Sequence, residues 1–369
     1  MRTRDAVLDY QKTIKDTETY EKDLDLTEPI SALDLEVECT NGATSNKGNF
    51  ISDIVTKAEI VDGSETLGSL NMSQLESMHF CTSGRMPALF PSEWGGGIQR
   101  HAVRWFFGRW LWDPEYSFLA TKFKNAQLKV TMNKAAIRAA GDTGFASGDN
   151  IKLTAVAKVS EDLPAPTKYL MTKQKESFTS TSGEKRIELP VDYTYRMLLF
   201  RFWKQGSDID EIISEIKFTL DTDRFIPLNR KVKQLDAQAL AEFGMGELKH
   251  DMFASDSEEV RLLFNKEPVV ALWNWETPMN VFCNMHWAWS SQCAPAVFLH
   301  DGTAYGTDVK LTSLEKGHAL HATLPVPFGR LDVPGDWFDP TPFKKMELVL
   351  TQATADATCE IVTQQVRPL

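Results

Sequence analysis

The chain has 369 residues, 42% hydrophobic, 10% aromatic and 25% charged, which is the balance of a folded protein and not of a disordered one. A net charge of -11 without a basic tail or stripe argues against direct nucleic-acid binding, and no run of about 18 apolar residues offers a membrane span. At roughly 100 to 200 residues per domain the length suits two domains.

Residues 1–28 alternate charge with sparse apolar positions (Val7, Leu8, Ile14, Tyr20, Leu24), so residues 1–30 are expected to form an N-terminal arm ordered by contact. The stretch carries no apolar core of a signal peptide, and five scattered cysteines (Cys39, Cys81, Cys283, Cys293, Cys359) read as free thiols of a reducing cytoplasm. After Pro29 the run ALDLEVEC alternates as a half-buried strand does, and short β-like segments follow to the end: DIVTKAEIV, QLKVTMN, IKLTAVAKV, YRMLLFRFW, EIKFTL, VVALWNW, NVFCNMHWAW, AVFLH and MELVLTQ. Turn-forming Gly, Pro, Asn and Asp separate them, so the fold class is all-β, of sandwich or barrel type.

Two short helices interrupt this pattern. One is expected at Ser73-Gln-Leu-Glu76, read as a capping box, and the other at DAQALAEFG, with Asp236 as the cap and Gly244 as the terminating turn. The Pro, Ser, Thr and charge between 166 and 186 suggest a linker, giving a first domain at 31–165 and a second at 187–369.

The two halves repeat one another. Ile51-Ser-Asp-Ile54, Asp62, Leu70, a helix and a glycine recur in order as Ile213-Ser-Glu-Ile216, Asp221, Leu228, a helix ending at Phe243, and Gly244. Further on, Phe107-Gly108-Arg109, Trp112-Asp113-Pro114, Phe123-Lys124 and Leu128 match Phe328-Gly329-Arg330, Phe338-Asp339-Pro340, Phe343-Lys344 and Leu348. The natural reading is a duplicated β domain in which Gly relieves crowding beside Arg and Asp-Pro begins a turn. The second copy carries a long Trp-rich insertion at about 249–312.

In the blocks DIVTKAEIVDGSETLGSLNMSQLESM, FGRWLWDPEY and KFKNAQLKVTMN the chain resembles the double jelly-roll major capsid proteins of tailless icosahedral viruses, particularly bacterial viruses with an internal membrane. The resemblance covers most of residues 31–369 through soft patterns of strand, turn and helix. It implies two tandem eight-stranded jelly-roll sandwiches per chain and three chains joined into a pseudo-hexagonal tile of a virion capsid. The partners implied are the chain itself, penton and minor capsid proteins, and an internal membrane approached by the N-terminal arm. The insertion would face outward. No catalytic residue, cofactor or metal is implied.

The residues admit rival chemistry. Arg109 and Asp113 could act as an acid–base pair, but their recurrence as Arg330 and Asp339 favours a structural role, with the arginine's partner left open by the spacing. Cys283, His286 and Cys293, or His318 and His321, could hold zinc, yet paired Cys-x-x-Cys spacing is missing and ordinary thiols and histidines are the simpler reading. Trp273 with Trp275 and Trp287 with Trp289 are spaced to share strand faces; they suit a core or subunit interface, or a sugar platform. Gly95-Gly96-Gly97 lacks the lysine of a phosphate loop and reads as a flexible turn. Two alternatives to a capsid protein follow: a secreted two-jelly-roll hydrolase similar to glycan-releasing amidases, and a sugar-binding β-sandwich.

Overall fold

The structure, a computed structural model, describes residues 2–137, 144–254, 258–273 and 281–369, the side chains of 284–286 excepted. The first half contains β1 (Thr3–Ile14), β2 (Thr17–Asp23), β3 (Ile30–Thr40), α1 (Ile51–Ile54), β4 (Val55–Asp62), β5 (Glu65–Leu70), α2 (Met72–Ser83), β6 (Ala88–Phe90), β7 (Ile98–Phe106), β8 (Ala126–Asn133) and β9 (Ile151–Ser160). The second contains β10 (Lys168–Thr179), β11 (Gly183–Leu189), β12 (Tyr195–Trp203), α3 (Ile209–Ile212), β13 (Ile213–Leu220), β14 (Phe225–Lys231) and α4 (Val232–Phe243). An insertion of β15 (Gly246–Ala254), β16 (Val260–Arg261), β17 (Phe264–Trp273), β18 (Val281–Trp289), β19 (Gln292–Leu299) and β20 (Val309–Leu320) precedes β21 (Thr323–Pro327), β22 (Met346–Gln352) and β23 (Thr358–Pro368).

Strand pairing gives both halves one plan. The first half pairs β1-β9-β3-β7 in one sheet, with β6 added at the edge, and β2-β8-β4-β5 in the other. The second pairs β10-β23-β12-β21 and β11-β22-β13-β14. Leaving out β6 and the insertion, each half places its first, eighth, third and sixth strands in one sheet and its second, seventh, fourth and fifth in the other, which is the jelly-roll order. Inward residues alternate with outward ones, as in β8, where Ala126, Leu128, Val130 and Met132 are buried between half-buried neighbours. Each sandwich has its own apolar core, one around Leu33, Ile60 and Leu153, the other around Leu198, Phe218 and Leu348.

Three boundary expectations are corrected by this pairing. Residues 3–23 are not a free arm: β1 pairs with β9 and β2 with β8, the charged outward positions concealing Ala6, Ile14 and Tyr20 on the buried side. Residues 166–186 are not a linker, because β10 and β11 are the first two strands of the second sandwich, paired with β23 and β22. The insertion extends beyond 249–312: its strands run from Gly246 to Leu320 and form two three-stranded sheets around a separate core that includes Met252, Val297 and Leu311.

The repeat holds with a shifted register. Ile51–Ile54 corresponds to Ile209–Ile212, not to Ile213–Ile216: both are one-turn helices in which the third residue's carboxylate reaches back to the cap N–H, Asp53 to Phe50 at 3.1 Å and Glu211 to Asp208 at 3.0 Å. Asp62 and Asp221 do correspond. Asp62 accepts from the N–H groups of Lys124 and Asn125, and Asp221 from those of Lys344 and Lys345, so each pins the start of its sandwich's seventh strand.

Both helix caps are also moved. α2 begins at Met72, and its capping box is Asn71 with Gln74; Ser73 and Glu76 lie inside the helix. α4 begins at Val232 after Lys231, with Asp236 in its interior. Gly84 and Gly244 end the two helices with φ of +64° and +73°. In the Gly95-Gly96-Gly97 turn, a Cβ on Gly95 would stand 2.3 Å from the carbonyl oxygen of Ala43 and one on Gly97 2.9 Å from the Ser92 hydroxyl, whereas Gly96 faces open space and takes a φ of +67°.

Candidate functional site

The repeated Phe-Gly-Arg corner opens the loop after the sixth strand of each sandwich. In the first, Phe107, Phe118 and Phe123 form a ring cluster with Tyr169, with Phe118 stacked on Phe123 at 5.1 Å between centroids. In the second, Phe328, Phe338 and Phe343 repeat it. Phe118 bridges Ile30 and Phe338 bridges Tyr195, each at the head of the third strand, so Phe338 is the counterpart of Phe118 and not of Trp112. Asp339 therefore does not correspond to Asp113. Its carboxylate accepts from the Thr341 N–H and hydroxyl, while Pro340 begins the turn closed by the Phe343 N–H.

The arginine partners, open on spacing alone, are now assigned. Arg109 makes a two-pronged contact with Asp113, at 2.7 and 2.8 Å, and Asp113 also accepts from the N–H groups of Arg109 and Glu115. Burial pushes the Asp113 carboxyl up, but the guanidinium and the two N–H donors outweigh it and hold it below the ordinary range. Arg330 contacts Asp336 at 2.5 and 3.2 Å. Both glycines are required by contact. A Cβ on Gly108 would stand 2.7 Å from Asp113 Cβ, and one on Gly329, at φ +75°, 2.6 Å from Asp336 Cβ. Pro114 follows Asp113 in the first corner without a counterpart aligned to Pro340.

The two corners face each other across the seam between the sandwiches. Tyr116 packs on Trp337 at 5.6 Å, Arg109 donates to the Asp332 carbonyl, and the buried Arg196 donates to the Leu331 carbonyl and to Gln364. Farther along the seam β5 and β10 meet in parallel at Ser69 and Lys173, which fuses one sheet of each sandwich into a continuous eight-stranded sheet.

α2 lies in this seam. From its inner side Glu76 contacts His101 of β7 at 2.8 Å and His321 before β21, and it accepts from the Ser52 hydroxyl. Burial pushes this carboxyl up, but the two imidazoles outweigh it and hold it far below the ordinary carboxylate range. From its outer side Asn71 and Gln74 donate to Glu360 of β23, and Ser77 donates to the Leu320 carbonyl. Ser52, His101 and Glu76 are residue types of a hydrolase, but Ser52 donates to the carboxylate and the group is 0–5% exposed, closed to any substrate. The sequence signal for Glu76 is its apparent cap position; its histidine partners lie far away along the chain.

The zinc candidates separate. His321 goes to Glu76 and His318 to Asp236, at 3.2 Å, while Cys293 is buried in the insertion and Cys283 is half-buried. The His286 side chain falls outside the described residues, among which no three His, Cys, Asp or Glu side chains are placed to hold a metal ion together. The tryptophans do not fill a core: Trp273 and Trp289 are 44% and 49% exposed and Trp287 is half-buried; Trp275 lies outside the described residues. The insertion docks on the first sandwich through Trp94, which donates to the Met252 carbonyl, and through Glu93, which accepts from the Phe253 N–H. Buried His250 lies 3.7 Å from both Glu93 and Glu315; burial pulls its pKa down, but the two carboxylates outweigh it and raise it to about 9.

No protein-family model and no curated protein sequence matches the chain. Solved structures do. It is similar to the STIV MCP, at 12% identity over 99% of this chain and 96% of that one with a TM-score of 0.60. It is similar to the major capsid protein P2 of bacteriophage PM2, at 10% identity over 100% and 98% with a TM-score of 0.57. The PBCV-1 virus capsid gives 10% identity, 99% and 93% coverage, and a TM-score of 0.58. Over its whole length, then, the chain has the double jelly-roll fold of these capsid proteins.

Proposed function

We propose that the chain is the major capsid protein of an icosahedral virus, three copies joining into a pseudo-hexagonal tile. Its two units run from residue 2 to 160 and from 168 to 369, with residues 246–320 as an outward projection of the second. The observation that carries this reading is the doubling itself: two sandwiches of identical strand order, held side by side by a fused sheet and a buried polar seam, in a chain that matches capsid proteins from end to end. A threefold ring of such chains offers six similar sides to its neighbours, which is what a shell of hexagonal tiles requires. The activity is assembly, with no catalytic residue. Penton and minor capsid proteins would complete such a shell, made in the cytoplasm of the infected cell. The N-terminal strands belong to the first sandwich.

Electron microscopy of the purified chain tests this. Particles with six lobes built from three chains are expected; a chain that stays monomeric at all concentrations would overturn the reading.

A further inference from the structure

The seam inside the chain has a vacant equivalent outside it. β5 ends its sandwich's second sheet and is covered by β10, whereas its counterpart β14 ends a sheet with no strand beyond it among the described residues. β10 is covered by β5, whereas its counterpart β1 is likewise an end strand. Shared irregularities fix the correspondence: β10 bulges between Gln174 and Glu176 against β23, and β1 bulges between Val7 and Asp9 against β9. Lys173 thus corresponds to Ala6. Ser69 pairs with Glu59 and Asn229 with Lys217 at the same step of the fourth strand, so Ser69 corresponds to Asn229.

The helix and its seat repeat the relation. In α2 the residues turned to the second sandwich, Gln74, Ser77, Met78 and Cys81, are all buried. Their counterparts in α4, Gln234, Ala237, Gln238 and Ala241, are all exposed. The seat of α2 is the outer face of β12 and β23, including Leu199, Arg201, Glu360 and Val362. The corresponding face of β3 and β9 carries Asp34, Glu36, Thr154 and Val156, which line an open groove that begins at Asp5 of β1. Val7 and Tyr10 on one edge, and Phe225 and Ile226 on the other, are 42–73% exposed apolar side chains. Charge agrees: Lys231 at the head of α4 would come to Glu36, as Asn71 at the head of α2 comes to the Arg201–Glu360 pair.

We propose, on the basis of the assembly reading above, that the occupant of this groove is a second copy of the chain: α4 of one copy seats on β3 and β9 of the next, and β14 pairs in parallel with β1 at Asn229 and Ala6. The contact is head to tail, so it propagates around a ring instead of closing a two-fold dimer. Pro227 is no obstacle, since a parallel bridge at Asn229 uses the N–H of residue 229 or 230.

The full chain carrying A6C and N229C is oxidised, with each single variant as a control, and mass is followed by sedimentation and non-reducing electrophoresis. Bridged neighbours on adjacent strands lie within disulfide reach. Covalent species of two and three chains are expected from the double variant and from neither single one. V156R, which fills the groove, should leave circular dichroism unchanged and reduce self-association at least tenfold. Trimers that never cross-link, or that survive V156R, would overturn this pairing while leaving the assembly reading intact. Monomers at every concentration would overturn both.

Discussion

α2 and α4 are both twelve residues long, follow the fifth strand of their sandwich and end at a glycine of positive φ, yet they meet opposite surroundings. α2 is buried on every side, with nine of its residues covered, because its own sandwich holds one face and the second sandwich the other. α4 buries only Val232, Leu235, Asp236 and Ala239 against its own sandwich. The difference lies not in the strand plan but in what stands next door. Composition scarcely registers it: α2 turns Gln74, Ser77, Met78 and Cys81 outward, and α4 turns Gln234, Ala237, Gln238 and Ala241. The exposed face of α4 is uncharged at these four positions and as small as the covered face of α2, so it suits close packing against a neighbour equally well.

The strongest way to break the comparison is at the carboxylates that occupy equivalent places in the helices. Glu76→Ala removes the charge between two buried imidazoles and should cost roughly 3 to 5 kcal/mol in denaturant unfolding. Asp236→Ala, which removes the contact to the one histidine His318, should cost about 1 to 2 kcal/mol. Acid sharpens the contrast. A carboxyl held below its ordinary value contributes stability that is present above the unfolded pKa, 4.5 for a glutamate, and is lost as pH falls toward the folded value. The native chain should therefore lose more stability below pH 4.5 than Glu76→Ala does; equal losses would show that the carboxylate is not the linked group.

The corners give the next effect. Arg109 and Asp113 are 9% and 0% exposed, the guanidinium lying against Trp110, Tyr116 and the Asp332 carbonyl of the second corner, whereas Arg330 and Asp336 are 71% and 32% exposed. Asp113→Ala leaves the covered guanidinium with only the half-exposed Glu115 and the Asp332 carbonyl, and should lower stability by about 2 to 3 kcal/mol. Asp336→Ala should leave the unfolding midpoint of the isolated chain unchanged. Comparable losses from the two would mean that the seam adds nothing to the pair.

Much of this was legible in the sequence, and the failures have physical causes. The doubling, the all-β class and the Phe-Gly-Arg corners could be read because turns and aromatic anchors depend on local geometry: Phe107 and Phe328, Gly108 and Gly329, Asp62 and Asp221 keep both identity and role. β1 and β2 were hidden because one face of each is exposed, so Thr3–Asp23 reads as a charged arm until pairing partners more than a hundred residues away are known. The polar seam was hidden for a related reason. Glu76 and Asp236 look like caps, and only the packed fold brings His101, His321 and His318 to them. The partner of Arg330 stays open in the sequence because Asp339-Pro340 matches Asp113-Pro114 in residue type, while the chain aligns Phe338 with Phe118.

The smallest effect discriminates by its sign. Asn71 caps α2, accepting from the Gln74 N–H at 2.9 Å, and Asn71→Ala should cost about 1 kcal/mol. α4 begins after Lys231, which has the extended backbone of a cap, φ -67° and ψ 141°, but offers no acceptor and sets a positive charge at the positive end of the helix dipole. Its ion pair with Glu215 stands at the surface, where such pairs contribute little. Lys231→Ser should thus stabilise the isolated chain by about 0.5 kcal/mol. An unfavourable cap is accounted for if the lysine serves the neighbouring copy, where it would come to Glu36. The same variant should then weaken trimers as measured by sedimentation while raising the unfolding midpoint of monomers at high dilution. If both stability and association rise, Lys231 has no partner in the ring, and the correspondence between α2 and α4 ends at the fold.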